Sequence, residues 1–489
     1  MFKKQVELIK PIIYEDETKA SFFSQDDRAY HSLANLFKAF WLYNKKELYL
    51  VGGCCRDMLL GKEPKDYDLT TNASIEEIRE ICAALNLKTF DSGVKHGTLT
   101  IIDDFYKISY ECTVYRKDGK YTDGRHPDSI ELVSSLEEDL KRRDFTINSF
   151  AYNLLTKELL ALDESYFRDL EFGIIRTVGN AEDRFNEDAL RMLRALRFSA
   201  QLNFSIANDT FEAIKKLSKN LSKISKERIR DELTKILLSN NPQVLELFVI
   251  TGLEAYAFDG FTPIGDILNC EHQNPWHYTD VFHHTMDVVK RVPKTFELRW
   301  AALMHDFGKP ATKELKEGTT DHYHYHGHQD VSAEIAEQLA DILKFSNEQK
   351  DLVIKFVKYH DTDLATCKNG TFKTILADIG VEHFLDFMKL KLADAYAHQL
   401  SKNTKWAIEV SDKVYERFAK VVEESQALTV KDLAINGDDI IADGFLRGKE
   451  IGDCLRWMLD VVLEHPEYNT REKLFELLQQ FKEMLFQNS

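Results

Sequence analysis

The chain has 489 residues, 44% of them hydrophobic and 30% charged, with a formal net charge of −17. That length suits several domains with cores of their own. The acidic balance argues against coating nucleic acid by charge alone, although screening over about 8–10 Å at cellular salt leaves room for a local basic groove. No apolar run approaches the roughly eighteen residues of a membrane span, and Glu7 with the acidic residues after it interrupts any secretory core. Seven cysteines without a CxxC pair fit reduced thiols in a cytoplasm.

Residues 1–45 read as a helical lead-in. Leu48–Val51 is a short apolar strand, and Gly52 and Gly53 end it and open a helix carrying Arg56. Glycine lets a polyphosphate lie against the backbone, and a helix start offers free N–H groups to an anion. Asp66 and Asp68 follow, one residue apart. On an extended strand they share a face, where two carboxylates can hold divalent cations for phosphoryl transfer to a hydroxyl. Each half alone suits a structural turn. In this order the two point to metal-dependent nucleotidyl transfer.

Thr98–Ile102 and Tyr106–Tyr115 alternate as strands, with Asp103-Asp104 as the turn between them. Glu111 is a candidate third carboxylate or an ordinary exposed strand glutamate. A charged, glycine-containing loop runs from Lys117 to Pro127. Arg142-Arg143-Asp144 then sets guanidinium forks beside a carboxylate, and Arg143 suits a triphosphate or ribose. After Asp163 the chain reads as almost wholly helical. On one helix Asp188, Arg191, Arg194 and Arg197 form a drifting stripe that suits the edge of a base or a surface ion-pair ladder. Lys215, Lys216, Lys219, Lys223, Lys226, Arg228 and Arg230 form either a solvated face or an RNA phosphate track. Gly260–Gly265 reads as a boundary loop, and composition shifts again near Ser401-Lys402-Asn403.

A second constellation has metal-ligand chemistry: His284, the pair His305-Asp306, His326, His328, His360-Asp361 and Asp394. Imidazoles and carboxylates suit transition metals that bind phosphate oxygens and activate water. His322-Tyr323-His324-Tyr325 reads as a polar loop.

Taken in order, these motifs resemble the class II (bacterial) tRNA nucleotidyltransferase, or CCA-adding enzyme, and poly(A) polymerase family with an HD phosphohydrolase domain. The similarity rests on Gly52–Asp57, Asp66-Tyr67-Asp68, Gly93–Thr98, the loop ending Asp123–Pro127, Arg142–Thr146 and Glu187–Arg191. It extends to Asn436-Gly437-Asp438-Asp439 with Gly444, Gly448 and Gly452. The resemblance implies an α+β fold: a polymerase-β-like head with a mixed sheet, then an all-helical neck, HD-type body and tail. The implied bounds are 1–45 for the lead-in, 46–160 head, 161–262 neck, 263–400 HD domain and 401–489 tail. It implies Mg²⁺ on Asp66 and Asp68, and the incoming triphosphate on Gly53, Arg56 and Arg143. Asp188 and Arg191 would read the base, supported by Arg194 and Arg197, and the Asp118–Pro127 loop would help switch from C to A. His284, His305, Asp306 and Asp394 match the HD ligand pattern, with a second divalent transition metal of unspecified identity. The implied function is template-independent addition of CCA to a tRNA acceptor arm from CTP and ATP, without a membrane or DNA partner. The alternatives are a poly(A) polymerase, a split CC- or A-adding enzyme, or an RNA-end phosphohydrolase whose head only binds RNA.

Overall fold

The computed structural model describes residues 28–93, 97–118, 130–132, 135–272, 279–319, 322–398, 403–424, 429–444 and 448–487. They fall into two compact units, 1–236 with 244–260, and 237–243 with 261–489.

The first unit is built on strands β1 (Leu48–Val51), β2 (Tyr67–Thr71), β3 (Lys88–Gly93), β4 (Thr98–Asp103) and β5 (Ile108–Val114). A small hairpin follows, β6 (Arg116–Asp118) and β7 (Ile130–Leu132), and then β8 (Phe150–Tyr152) and β9 (Leu159–Ala161). Seven strands form one sheet in the order β3-β4-β5-β2-β1-β8-β9. The β2–β5 pair is parallel and β1–β2 is antiparallel, so the sheet is mixed. In β4, Leu99, Ile101 and Asp103 are buried while the residues between them are half-buried, the alternation expected of a sheet with one covered face. Tyr106 lies in the turn before β5, because Lys107 takes a left-handed φ of 60° and the strand starts only at Ile108. The described part of the lead-in, helix Arg28–Leu42, buries Leu33, Leu36, Phe37 and Phe40. The Ser32 hydroxyl donates to Asp103 on β4, so this helix is part of the head's packing.

Beyond Asp163 helices dominate, but two strand pairs interrupt them. Ile174–Ile175 pairs in parallel with Ser205–Ile206, and Glu314–Leu315 pairs with Tyr323–His324. The His322–Tyr325 stretch is therefore partly a ribbon. The single helix expected through Glu187–Arg197 is two: Ala181–Glu187 and Leu190–Leu202. Asp188 breaks it with extended backbone (φ −137°, ψ 105°), and its carboxylate instead accepts the Leu190 N–H at 3.0 Å. Short acidic side chains compete with helical hydrogen bonding in this way. The boundary loop is likewise shorter than expected, since Pro263 opens helix Pro263–Leu268 from its first turn.

The second unit packs helices Val281–Arg291, Phe296–Met304, His328–Ile342, Asn347–Tyr359, Asn369–Ile379 and Val381–Ala397 around Phe282, Trp300, Phe356, Phe384 and Phe387. Helices Asn403–Glu424, Gly437–Ala442, Lys449–Glu464 and Arg471–Gln487 follow. Asn436 caps the second of these reciprocally with Asp439. Among the described residues no helix is long and apolar enough to cross a membrane.

Candidate functional site

In the head, Val51 at the end of β1 pairs with Asp68 on β2, and Asp68 pairs with Glu111 on β5. Tyr67 and Leu69 are buried, which leaves Asp68 and Thr70 on the opposite face. Asp66 is exposed just before the strand. Gly52 turns the chain between β1 and helix Gly53–Leu59 with φ +78°. A Cβ there would stand 3.1 Å from Arg143 Nη1 and 3.5 Å from Asp68 Oδ2. Backbone, guanidinium and carboxylate therefore crowd one spot that only glycine allows. Burial pushes the Asp68 carboxyl above its ordinary range; Arg143 opposes this, and Glu111 and Asp66 reinforce it. A carboxylate raised by burial and by like charges is a site that a cation would relieve.

Arg143 is itself positioned by the fully buried Asp139, 3.3 Å away, which also binds Arg142 at 2.6 Å. Thr70 lies 3.4 Å from the same carboxylate. Arg56 donates to Asn148 Oδ1 at 2.7 Å and pairs with Asp57 at 2.8 Å. Asn148 in turn donates to Asp144, whose other oxygen binds Arg194 at 2.5 Å. Arg194 and Asn148 hold Asp144 ionised far below the usual carboxylate range, against the cost of burial. The face of Phe198 gathers three guanidiniums: Arg197 at 4.3 Å, Arg56 at 5.3 Å and Arg194 at 5.5 Å from its centroid. Burial, together with Arg194, brings Arg197 down to about 10 despite Glu232 at 3.0 Å. Arg191 binds Glu187 at 2.6 Å and the Arg142 carbonyl at 3.0 Å, while Asp188 lies 3.4 Å from Arg228. Asp188, Arg191, Arg194 and Arg197 are thus tied separately to their surroundings. The basic run is spread over several short elements and largely paired, as in Lys216–Glu182 and Lys226–Asp259.

The second unit brings its expected ligands together from separate helices. His284 Nε2 lies 3.0 Å from Asp394 Oδ1 and 3.5 Å from Asp306 Oδ2. His305 Nε2 lies 3.2 Å from Asp306 Oδ2 and 3.7 Å from Asp394 Oδ1. Each of His305, His328 and His360 turns its Nδ1 to the backbone carbonyl three residues earlier, at 2.8, 2.9 and 2.6 Å. This fixes the ring and presents Nε2 inward, the arrangement of a metal-ligating histidine. Among the described residues His305 Nε2 is buried with no well-aligned hydrogen bond, although Asp306 Oδ2 lies 3.2 Å away. His305 and Lys309 hold Asp306 well below its ordinary range despite burial; burial lowers His305, but Asp306 and Asp394 outweigh it and leave it raised. These residues fit a transition metal, which would displace the proton held there.

Sequence reasoning missed the partners that orient these groups. Asp139 and Asn148 carry no signal beyond lying beside Arg142 and Arg143. His272 lies 3.2 Å from Lys309, which pairs with Asp306 at 2.7 Å. His398 joins His284 and Asp394 as a possible ligand set, a proximity that follows only from tertiary packing. Residues 119–127 of the expected switching loop, residues 94–96 of the Gly93–Thr98 motif and residues 1–27 of the lead-in lie outside the described residues.

Three family models match in succession. The poly A polymerase head domain covers residues 48–176, the probable RNA- and SrmB-binding site of polymerase A covers 203–264, and the HD domain covers 280–397. A CCA-adding enzyme of Ligilactobacillus salivarius is 49% identical over 211 residues, 43% of this chain and 50% of that protein. One from Leuconostoc mesenteroides is 49% identical over 202 residues, 41% and 48% of the two chains. The matched stretch thus spans about half the length of these relatives. Over nearly the whole chain the structure is similar to the Bacillus stearothermophilus CCA-adding enzyme in complex with CTP, at 26% identity and a TM-score of 0.61, covering 94% of this chain and 99% of that one. The Thermotoga maritima CCA-adding enzyme complexed with tRNA shares the fold at 20% identity and a TM-score of 0.53, covering 96% and 99%. With its head, RNA-binding segment and HD domain in this order, the chain belongs to the class II tRNA nucleotidyltransferase and poly(A) polymerase family with an HD domain.

Proposed function

We propose that the chain adds CCA to the 3′ end of tRNA from CTP and ATP without a nucleic-acid template, and that its HD site hydrolyses phosphate esters, such as those on damaged RNA ends. One observation carries the first part: beside Gly52 and Arg143, Asp68 is raised by burial and further by the carboxylates of Glu111 and Asp66, which makes a pocket with a cation-seeking side and a phosphate-seeking side. When bound, Mg²⁺ on Asp66 and Asp68 supplies the Lewis acid that activates the tRNA hydroxyl and steadies the leaving pyrophosphate. Gly53, Arg56 and Arg143 hold the triphosphate. Asp188 and Arg191 read the base. A carboxylate accepts up to about four hydrogen bonds, so the contacts named for Asp188 leave room for a base amino group. Arg194 and Arg197 support that edge through Asp144, Glu232 and Phe198.

The domain bounds we assign are 46–160 for the head, 161–262 for the neck, 263–400 for the HD body and 401–489 for the tail. The neck and tail hold the acceptor arm by shape and backbone. The HD metal is held by His284, His305, Asp306 and Asp394, and supplies a Lewis acid to a phosphate oxygen when bound. Seven unbridged cysteines suit work in a reducing cytoplasm.

Incubation with tRNA lacking its 3′ end, with each triphosphate alone and with CTP and ATP together, followed by sizing of the products, tests this reading. Extension by C, C and A supports it. Extension by C alone, by A alone or by a long A tract identifies a split enzyme or a poly(A) polymerase. No extension, with phosphate release intact, leaves the RNA-end phosphohydrolase.

A further inference from the structure

Asp361 follows His360 in the chain, yet it takes no part in the HD cluster. It is exposed, and among the described residues it makes no hydrogen bond or ion pair. It stands where two cavities meet. One, of about 710 Å³, opens on Asp306, His328 and His360 and is walled by Lys316, His322 and His324. The other, of about 250 Å³, borders it, and His360, Asp361, Asp394 and His398 line both. The larger cavity is polar and suits a phosphate. The smaller one is bounded by Leu364, Met388 and Val414, apolar side chains that are otherwise buried. Its volume is that of about eight waters at ~30 Å³ each. An apolar recess of this kind favours a flat ring over water, and a methionine thioether adapts to an aromatic partner.

Ser411 is an independent sign of a ligand. It lines the smaller cavity, is 5% exposed, and its hydroxyl is buried without a hydrogen-bond partner among the described residues. An unpaired buried hydroxyl is costly until something bonds it. A hydroxyl both donates and accepts, so the ring nitrogens, amino or carbonyl groups of a nucleobase all satisfy it. The rim of the recess is held in place from two helices. Lys391 donates to the carbonyls of His360 and, at 2.7 Å, Thr362; Arg417 donates to those of Leu364 and Cys367 at 2.8 and 2.7 Å. Asp363 is occupied within this segment, accepting from the Ala365 N–H at 3.0 Å and the Thr366 hydroxyl at 2.6 Å. The Asp361 carboxylate is left as an acceptor at the junction of the cavities, where a sugar would join base to phosphate.

Resting on the HD reading above, we propose that the smaller cavity is a nucleoside site. It takes a base against Leu364, Met388 and Val414 with a hydrogen bond to Ser411, and Asp361 accepts from a ribose hydroxyl, while the phosphate of the same nucleotide lies in the larger cavity. The HD site thereby selects nucleotides over phosphate esters that carry no base.

The test compares hydrolysis of adenosine 3′-phosphate, its 2′-deoxy analogue and glycerol phosphate by the full chain. Binding of adenosine to metal-free protein, followed by saturation-transfer NMR, gives a readout apart from activity. Val414→Phe, which fills the recess, should raise KM for adenosine 3′-phosphate about tenfold or more, leave glycerol phosphate hydrolysis unchanged and abolish the part of the adenosine signal that the recess contributes. Asp361→Ala, an exposed change that keeps the fold if Val414→Phe does not, should remove a preference of about tenfold for the ribonucleotide over its deoxy analogue. Circular dichroism checks both variants. Equal kcat/KM for adenosine 3′-phosphate and glycerol phosphate, or a preference that neither variant moves, overturns the nucleoside site and leaves HD hydrolysis standing. If no ester is hydrolysed, the HD reading falls, and the adenosine signal decides the site: its loss in Val414→Phe supports the recess, and its persistence overturns it.

Discussion

The two sites handle negative charge in opposite ways. In the HD cluster, Asp306 and Asp394 sit well below the ordinary carboxylate range although the first is buried and the second half-buried, because imidazoles surround both and Lys309 pairs with Asp306. In the head, Asp68 sits above that range, because burial, Glu111 and Asp66 outweigh Arg143. The HD site neutralises its own carboxylates before any ligand arrives, and backbone carbonyls clamp its rings. The head leaves its charge uncompensated at the end of a strand. A cation therefore completes the head electrostatically, whereas in the HD cluster it replaces a proton on a scaffold already assembled.

If the sites are this separate, each should fail alone. Asp68→Ala is expected to lower C and A addition on the order of 10³-fold or more, since loss of metal stabilisation of a phosphoryl transfer amounts to several kcal/mol. The same protein should keep its HD phosphatase activity. His305→Ala should do the reverse. Both activities of both variants are measured on protein checked by circular dichroism. A joint loss in either variant breaks the comparison.

Gly52→Ala sharpens it within the head. The left-handed φ and the 3.1 Å approach to Arg143 both oppose a methyl group. Backbone strain of about 1–3 kcal/mol should appear as a lower melting temperature. Displacement of Arg143 from Asp68 should cost nucleotide addition about 10²-fold, the scale of an ångström-sized misplacement. Steady-state kinetics with CTP, next to a thermal melt, separate the two effects. Gly61 also has a positive φ, of 67°, but a Cβ there meets nothing within 4 Å. Gly61→Ala should therefore show the strain without the kinetic loss.

The difference between the sites also governs what the sequence could disclose. The head's key residues lie close along the chain: Gly52, Gly53, Arg56, Asp66 and Asp68 span one strand–helix–strand turn, so their spacing is itself geometric information. Arg143 is tied to Asp139 four residues before it, but its return beside Gly52 and Asp68 is an approach that no local pattern encodes. The HD ligands come from the ends and interiors of separate helices. His305-Asp306 stands out as an adjacent pair, and histidine chemistry flags His284, His328 and His360. Which oxygen of Asp306 faces which ring, and the approach of His272 and His398, depend on helix packing. The break at Asp188 was hidden for a third reason. The periodicity of Leu190, Leu193 and Leu196 runs smoothly into it, and only the side-chain bond to the Leu190 N–H sets the boundary.

Base reading should respond more gently than metal binding. Arg191 is held by Glu187 and the Arg142 carbonyl, so its removal loosens a positioned donor and leaves the metal site in place. Arg191→Ala should reduce discrimination among the four triphosphates by about 1–3 kcal/mol, roughly 5- to 150-fold. The relative kcat/KM for CTP, ATP, UTP and GTP measures this. Unchanged ratios with a uniformly slower enzyme would move Arg191 from base recognition to scaffold.

The smallest effect tests the electrostatic contrast itself. A carboxylate whose folded-state pKa exceeds its unfolded value binds more protons when folded in the interval between the two. The metal-free fold therefore loses stability as pH rises through that interval. Below the unfolded pKa, about 3.9 for aspartate, the carboxyl is protonated in both states and contributes nothing. Above the raised folded value, the destabilisation is present in full. Asp68→Asn removes the charge while nearly preserving shape, so at neutral pH without divalent ions it should be more stable than the wild type, by on the order of 1 kcal/mol, although inactive in nucleotide addition. The advantage should vanish in strong acid. It should also shrink when Mg²⁺ is added, because the ion stabilises only the chain that keeps the carboxylate. Asp306→Asn should behave oppositely, losing stability at neutral pH, since it strips Lys309 and His305 of a buried partner. Denaturant melts of both variants across pH, with and without Mg²⁺, compare the two signs. Equal signs would show that burial, rather than the identity of the neighbouring charges, sets the behaviour of both aspartates.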